Sequence, residues 1–182
     1  MYFHRKGLFL LLLVFLISGV SFAQDNVSIY WSLMIPDSQN VSAISGDVTG
    51  LKQTGSPGFV VRDYANGPGP DQRWWPYDGS AAVSWGDETA QVDERWVQFA
   101  LYPNSGFNFN AEQFSVYIGA KGTNAIRANI YYSTNSSFIE AVKLNDEELP
   151  LLKDTDSLYS FTIGADVAAG DTFFVRIYPW YT

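Results

Sequence analysis

Two residue types that carry much of protein chemistry are all but missing. The 182-residue chain has no cysteine and a single histidine, His4. Without cysteine there is no disulfide, no thiol nucleophile and no thiolate ligand for zinc. His4 falls in an N-terminal leader, so beyond it neither a Ser-His nor a Cys-His pair can be assembled. Positive charge is scarce as well, with 11 Lys and Arg against 19 Asp and Glu. A field of that sign disfavours nucleic acid and anionic membrane as partners, because affinity for either rests on clustered Lys and Arg. Nor does any stretch after the leader show the length and periodicity of a helix.

The leader itself has the form of a secretion signal. His4-Arg5-Lys6 precedes the apolar run 8–17, and Ser21 and Ala23 occupy the small-residue positions of a cleavage site before Gln24. The run is too short for a membrane-spanning helix, and no cysteine follows it to carry a lipid. Cleavage at Ala23 predicts a secreted chain, extracellular, periplasmic or held at the cell surface, with no membrane attachment afterwards. Residues 24–182 then number 159, carry a formal charge of −10 and suit a single domain with a core of its own.

What is present in quantity is aromatic: all 6 tryptophans lie beyond the leader. Short β-branched and aromatic runs alternate with Gly, Pro, Asn and Asp, which predicts strands at 27–33, 43–48, 59–64, 95–102, 114–119, 125–133, 139–144, 158–163 and 172–180. Strands of that number and spacing predict an all-β fold, a two-sheet antiparallel β-sandwich of the jelly-roll kind. The alternation also assigns faces. Val97, Phe99 and Leu101, then Ile126, Ala128 and Ile130, then Phe173, Val175 and Ile177 belong in the core, since a one-residue slip would put them in water. The opposite faces carry Trp96, Gln98 and Tyr102, then Arg127, Asn129 and Tyr131, then Phe174, Arg176, Tyr178 and Trp180. That mixture makes Arg127, Arg176 and Trp180 candidate sugar contacts on an open sheet face. The competing reading is that loops cover the face, with Arg176 stacked on an aromatic ring for packing.

A second candidate lies between Asn66 and Val83, where Gly67-Pro68-Gly69-Pro70 places the segment off the sheets, in a long loop. Gln72, Arg73, Trp74, Trp75 and Tyr77 stand there with Trp85 close behind. Aromatic faces meet the C–H side of a pyranose, while amide and guanidinium groups bond its hydroxyls or the carboxylate of a uronic acid. Neighbouring residues of an extended chain point opposite ways, so Trp74 and Trp75 are not expected to share a ligand. The competing reading is that one Trp plugs the end of the sandwich.

Four segments together resemble a known module. They are Gln72-Arg73-Trp74, Trp96-Val97-Gln98-Phe99 with Pro103 and Gly106, Ala128 to Thr134, and Arg176-Ile177-Tyr178-Pro179-Trp180-Tyr181. In this order they resemble a β-sandwich accessory module of secreted bacterial pectate lyases and related pectin-degrading enzymes. The resemblance implies a carbohydrate-binding role beside a catalytic polysaccharide-degrading domain or protein, without catalysis by the module itself. Its ligand would be a plant or algal cell-wall polysaccharide or oligosaccharide such as pectin. Such modules run on into another strand, so the resemblance also implies an unprotected sheet edge at 172–180, open to self-association.

Other functions have thinner support. A carboxylate lyase or glycosidase could draw on Asp87 and Glu88 or on Asp93 and Glu94, but these sit in turn-like contexts without a motif, and no catalytic residue is assigned. A cell-surface adhesion or structural domain with a protein partner would share the fold. No cofactor is expected apart from a structural Ca²⁺, for which Asn145-Asp146-Glu147-Glu148 and Asp154-Thr155-Asp156 offer hard oxygen ligands without EF-hand spacing, leaving the metal ligands unknown. Asn26, Asn40 and Asn135 head glycosylation sequons.

Overall fold

The computed structural model describes residues 27–34, 38–64 and 71–182. The leader with its cleavage junction, Asn26 of the first sequon, and Gly67-Pro68-Gly69-Pro70 lie outside the described residues. Thirteen strands follow in chain order among the described residues. Strands β1 (Ser28–Tyr30) and β2 (Ala43–Ser45) form a small antiparallel hairpin, followed by the short β3 (Val48–Gly50) and β4 (Thr54–Gly55). A second hairpin joins β5 (Phe59–Tyr64) to β6 (Asp71–Pro76). Then come β7 (Val97–Pro103), β8 (Phe109–Ile118), β9 (Ile126–Ser133), the two-residue β10 (Val142–Lys143) and β11 (Leu149–Pro150), β12 (Ser157–Val167) and β13 (Phe173–Tyr181).

These strands build an antiparallel β-sandwich with unequal layers. The larger layer is a seven-stranded sheet in which β10 and β11 pair with β9, followed by β13, β7, and then β3 and β4. The other layer is the long antiparallel β8–β12 pair, with the two smaller hairpins beside it, and one hydrophobic cluster lies between the layers. The expected alternation holds in the large sheet. Val97, Ile177 and Ile130 line up across β7, β13 and β9, and none of the three exposes any surface. Full burial of such a side chain contributes about 1.5–3 kcal/mol, which is why this row fixes the register. At the sheet's margin, Gly50 admits the first hairpin closely. A Cβ there would lie 2.7 Å from the Val41 side chain and 2.9 Å from that of Ile29.

Two expectations fail. Strand β13 is not an edge, because it pairs with β7 over 173–177 and with β9 over 174–181. Period-two alternation tells which way side chains point and says nothing of which strands flank them. The segment after Pro70 is not a loop, because Asp71 to Pro76 pairs residue for residue with β5, Trp75 opposite Val60 and Trp74 opposite Val61. Arg-Trp-Trp is good strand sequence, and Pro76, lacking an N–H, sits at the strand end where no ladder bond is lost.

Candidate functional site

The sheet face that brought Arg127, Arg176 and Trp180 under one heading does not assemble as a site. Trp180 has no exposed surface, and its indole N–H has no hydrogen-bond partner among the described residues, so its ring offers nothing to a ligand. Arg176 is clamped, its guanidinium carbon 4.0 Å from the Trp96 ring centre and 3.8 Å from that of Phe138. Its Nε donates to Gln98 Oε1 at 2.8 Å and one Nη to the Ser136 carbonyl at 3.1 Å. Segment 135–140 has therefore folded back over the outer face of β13, with Phe138 edge-on to Phe174 at 6.2 Å. Arg127 donates to the carbonyls of Asn124 and Ile126 at 2.8 and 3.1 Å and fastens the entry to β9. The covered-face reading is the one these contacts describe.

A second lid closes the same face further along. Asn129 donates to Gln91 Oε1 at 2.9 Å, and Gln91 in turn donates to Asp93 at 2.7 Å. Tyr131 lies under this lid, edge-on to Tyr178 at 5.5 Å. Desolvation first, then the negative charge of Asp93 and the neighbouring Tyr178, push the Tyr131 phenol above its usual range, against a smaller lowering by a Gln91 hydrogen bond.

The other candidate group does converge. An open cleft of about 1260 Å³ runs between β8 and the first and second hairpins. Phe99 and Leu101 of β7 with Phe173 and Val175 of β13 form its floor, and every residue of β8 lines one wall. The opposite wall carries residues 27–34 and 72–75. Four tryptophans from three segments meet there: Trp31, Trp74 with Trp75, and Trp85. Trp31 stands edge-on to Phe99 at 5.3 Å and donates its indole N–H to the Leu51 carbonyl at 3.0 Å. Trp85 is edge-on to Phe59 at 5.6 Å. Both rings are thus held by edge contacts that leave them rigid.

Of the expected sugar contacts, Gln72 stands on that wall with its amide already bonded within the protein, and Tyr77 stands outside it. Gln72 is engaged within the protein, its amide nitrogen bonding Gln53 Oε1 at 2.5 Å and the Ser38 carbonyl at 3.2 Å, while its oxygen accepts from the Trp74 indole at 2.5 Å. The amide that looked directional toward a hydroxyl is a brace for Trp74. Tyr77 does not line the cleft; it bridges to Ala82, and its N–H donates to the Gly58 carbonyl at 3.0 Å. Arg73, Trp74, Trp75 and Trp85 do line it, and Trp74 and Trp75 both do so although they alternate along β6. Trp31 was missed, since alone within a predicted strand it carried no signal beyond its own bulk.

The acidic runs have local partners. Asn145 is buried, accepting from the Ile130 N–H at 2.8 Å and donating to Asn129 Oδ1 and the Glu147 carbonyl at 2.9 and 2.7 Å. It ties β9 to the following turn. Asp154 meets Lys121 Nζ at 2.8 Å, and that hydrogen bond, helped by the Gly122 N–H, holds its carboxyl below the usual range. No group of three or more acidic or histidine side chains is placed to hold a metal among the described residues. Glu88 is paired with Arg95 and also accepts from the Tyr181 N–H at 3.1 Å, so it caps the end of β13.

No protein-family model, curated protein or solved structure matches this chain.

Proposed function

We propose that the protein is a secreted carbohydrate-binding β-sandwich module whose ligand, a cell-wall polysaccharide such as pectin, lies along the cleft beside β8. The observation that carries this reading is the meeting of Trp31, Trp74, Trp75 and Trp85 in one open cleft, with Arg73 on the same wall. A polysaccharide needs a groove long enough for several residues, aromatic faces for its C–H surfaces and a few fixed polar groups. The cleft offers the first two along the length of β8. Arg73 suits the carboxylate of a uronic acid, which its planar fork can bind bidentately. The leader and the resemblance to accessory modules of pectin-degrading enzymes point the same way, toward binding beside a catalytic partner and not toward catalysis.

Titration calorimetry with pectic oligosaccharides tests the reading. Trp75→Ala and Trp31→Ala are expected to weaken binding about five- to tenfold each, with circular dichroism unchanged. Arg73→Ala should weaken binding of galacturonides and leave neutral galactans and arabinans unaffected. Absence of binding to any glycan by the folded chain would overturn the proposal in favour of an adhesion domain with a protein partner.

A further inference from the structure

The large sheet ends in very short strands. On one side these are β10 and β11, of two residues each, and on the other β3 and β4, of three and two. Short edges offer little template to another chain. Strand β12 is different. It has eleven residues and pairs only with β8, so its second edge is free along its whole length among the described strands.

Its composition lacks the usual deterrents. Residues 157–165 read Ser-Leu-Tyr-Ser-Phe-Thr-Ile-Gly-Ala, with no charge and no proline, in a chain that has 19 acidic residues. Uncharged, β-prone stretches of this kind are the ones that pair with other strands. The inward side chains Tyr159, Phe161 and Ile163 pack on the core yet remain only partly buried. That is the state of core side chains at a sheet margin with nothing beyond it.

We infer that β12 is a self-pairing edge, joining two copies of this chain by antiparallel strand addition about a two-fold axis at Phe161. Only an axis passing through a residue keeps inward side chains opposite inward ones, because an axis between residues would set each core face against a solvent face. An axis at Phe161 places Phe161 against its mate, Tyr159 against Ile163, and Ser160 against Thr162. The first two pairs extend the core across the junction, and aromatic cross-strand pairs are among the more favourable. No charge faces another, since Asp166 lies beyond the paired stretch. The β-bulge, where β12 carries an extra residue between Thr162 and Ala165, begins at Ile163, so the regular ladder across the axis is Ser160–Phe161–Thr162 and the Tyr159–Ile163 contacts close its two ends. A two-fold contact of this kind closes on itself and yields a dimer, not a filament. The cleft lies on the far side of β8, so the inference is independent of the proposed ligand.

Analytical ultracentrifugation of the purified chain over a wide concentration range should show a reversible monomer–dimer equilibrium. Ser160 and Thr162 point to solvent, so the double variants S160K/T162K and S160E/T162E should fold as the parent does. Each sets two like-charge pairs across the axis and should weaken the dimer about tenfold or more. Mixing the two variants should restore dimers, now mixed, through Lys–Glu pairs. A strictly monomeric parent overturns the inference. So does a dimer that survives both double variants, or a mixture that stays monomeric.

Discussion

In the large sheet Val97, Ile130 and Ile177 sit side by side with no exposed surface, whereas in the hairpin layer Tyr159, Phe161 and Ile163 point at the same core and stay partly exposed. Both sets alternate cleanly and both are made of residues that favour strands. The difference is coverage. Strand β13 has a neighbour on each side, and its row of side chains is roofed by the other layer, while among the described strands β12 has a neighbour on one side only. Strand β8 has one as well, and along its free side runs the aromatic cleft. One layer is therefore the scaffold, and the other leaves its two long strand edges unpaired among the described strands.

The largest expected effect tests that division directly. Ile177→Ala removes the middle of the central row and should cost about 4 kcal/mol, while Ile163→Ala in β12 should cost about 1 kcal/mol, both read from urea unfolding with unchanged m-values. Similar losses at the two positions would show the β8–β12 pair to be as much a part of the core as β13 and would break the comparison.

A smaller effect sharpens it on the outer face. Arg176→Ala opens the stack between Trp96 and Phe138 and should lower stability by about 2 kcal/mol, roughly 4–8 °C in Tm for a domain of this size. Arg176→Lys should recover less than half of that, because an ammonium cannot lie flat between two rings or bond Gln98 and Ser136 together. Full recovery by lysine would reduce the clamp to a simple charge effect.

The smallest effect is one of pH. The Tyr131 phenol is raised, so as pH climbs past about 10 the unfolded chain ionises first and is favoured. The stabilisation is complete below that point and is lost as pH rises through the phenol's folded-state range. Tyr131→Phe should therefore flatten the fall in unfolding free energy between about pH 9 and 11. An unchanged slope would mean that the Gln91–Asp93 lid does not desolvate Tyr131 in solution.

Much of the large sheet was legible in the sequence, and the reason lies in particular residues. Val97-Gln98-Phe99, Ile126 to Ile130 and Phe173 to Ile177 have one face too apolar for water, so strand identity and facing followed from period two alone. Strand β6 is hidden in the sequence because Gly67-Pro68-Gly69-Pro70 reads as the start of a loop, while Asp71 to Pro76, which follows it, is strand. The internal bonds of Gln72 are not legible in the sequence, because an amide beside two tryptophans looks the same whether it faces a ligand or braces an indole. Gln53 and Ser38, distant in sequence, decide that it braces.

The sequence by itself determined an all-β chain, the inward faces of its principal strands and the stock of tryptophan and arginine available for binding. Those follow from side-chain chemistry repeated at a local period. Only the tertiary structure decided that β13 is flanked on both sides, that Trp180 is sealed away, that Trp31 joins Trp74, Trp75 and Trp85, and that β12 keeps a free edge. Each of these depends on which strands become neighbours, and that choice is made by burial summed over segments far apart in the chain.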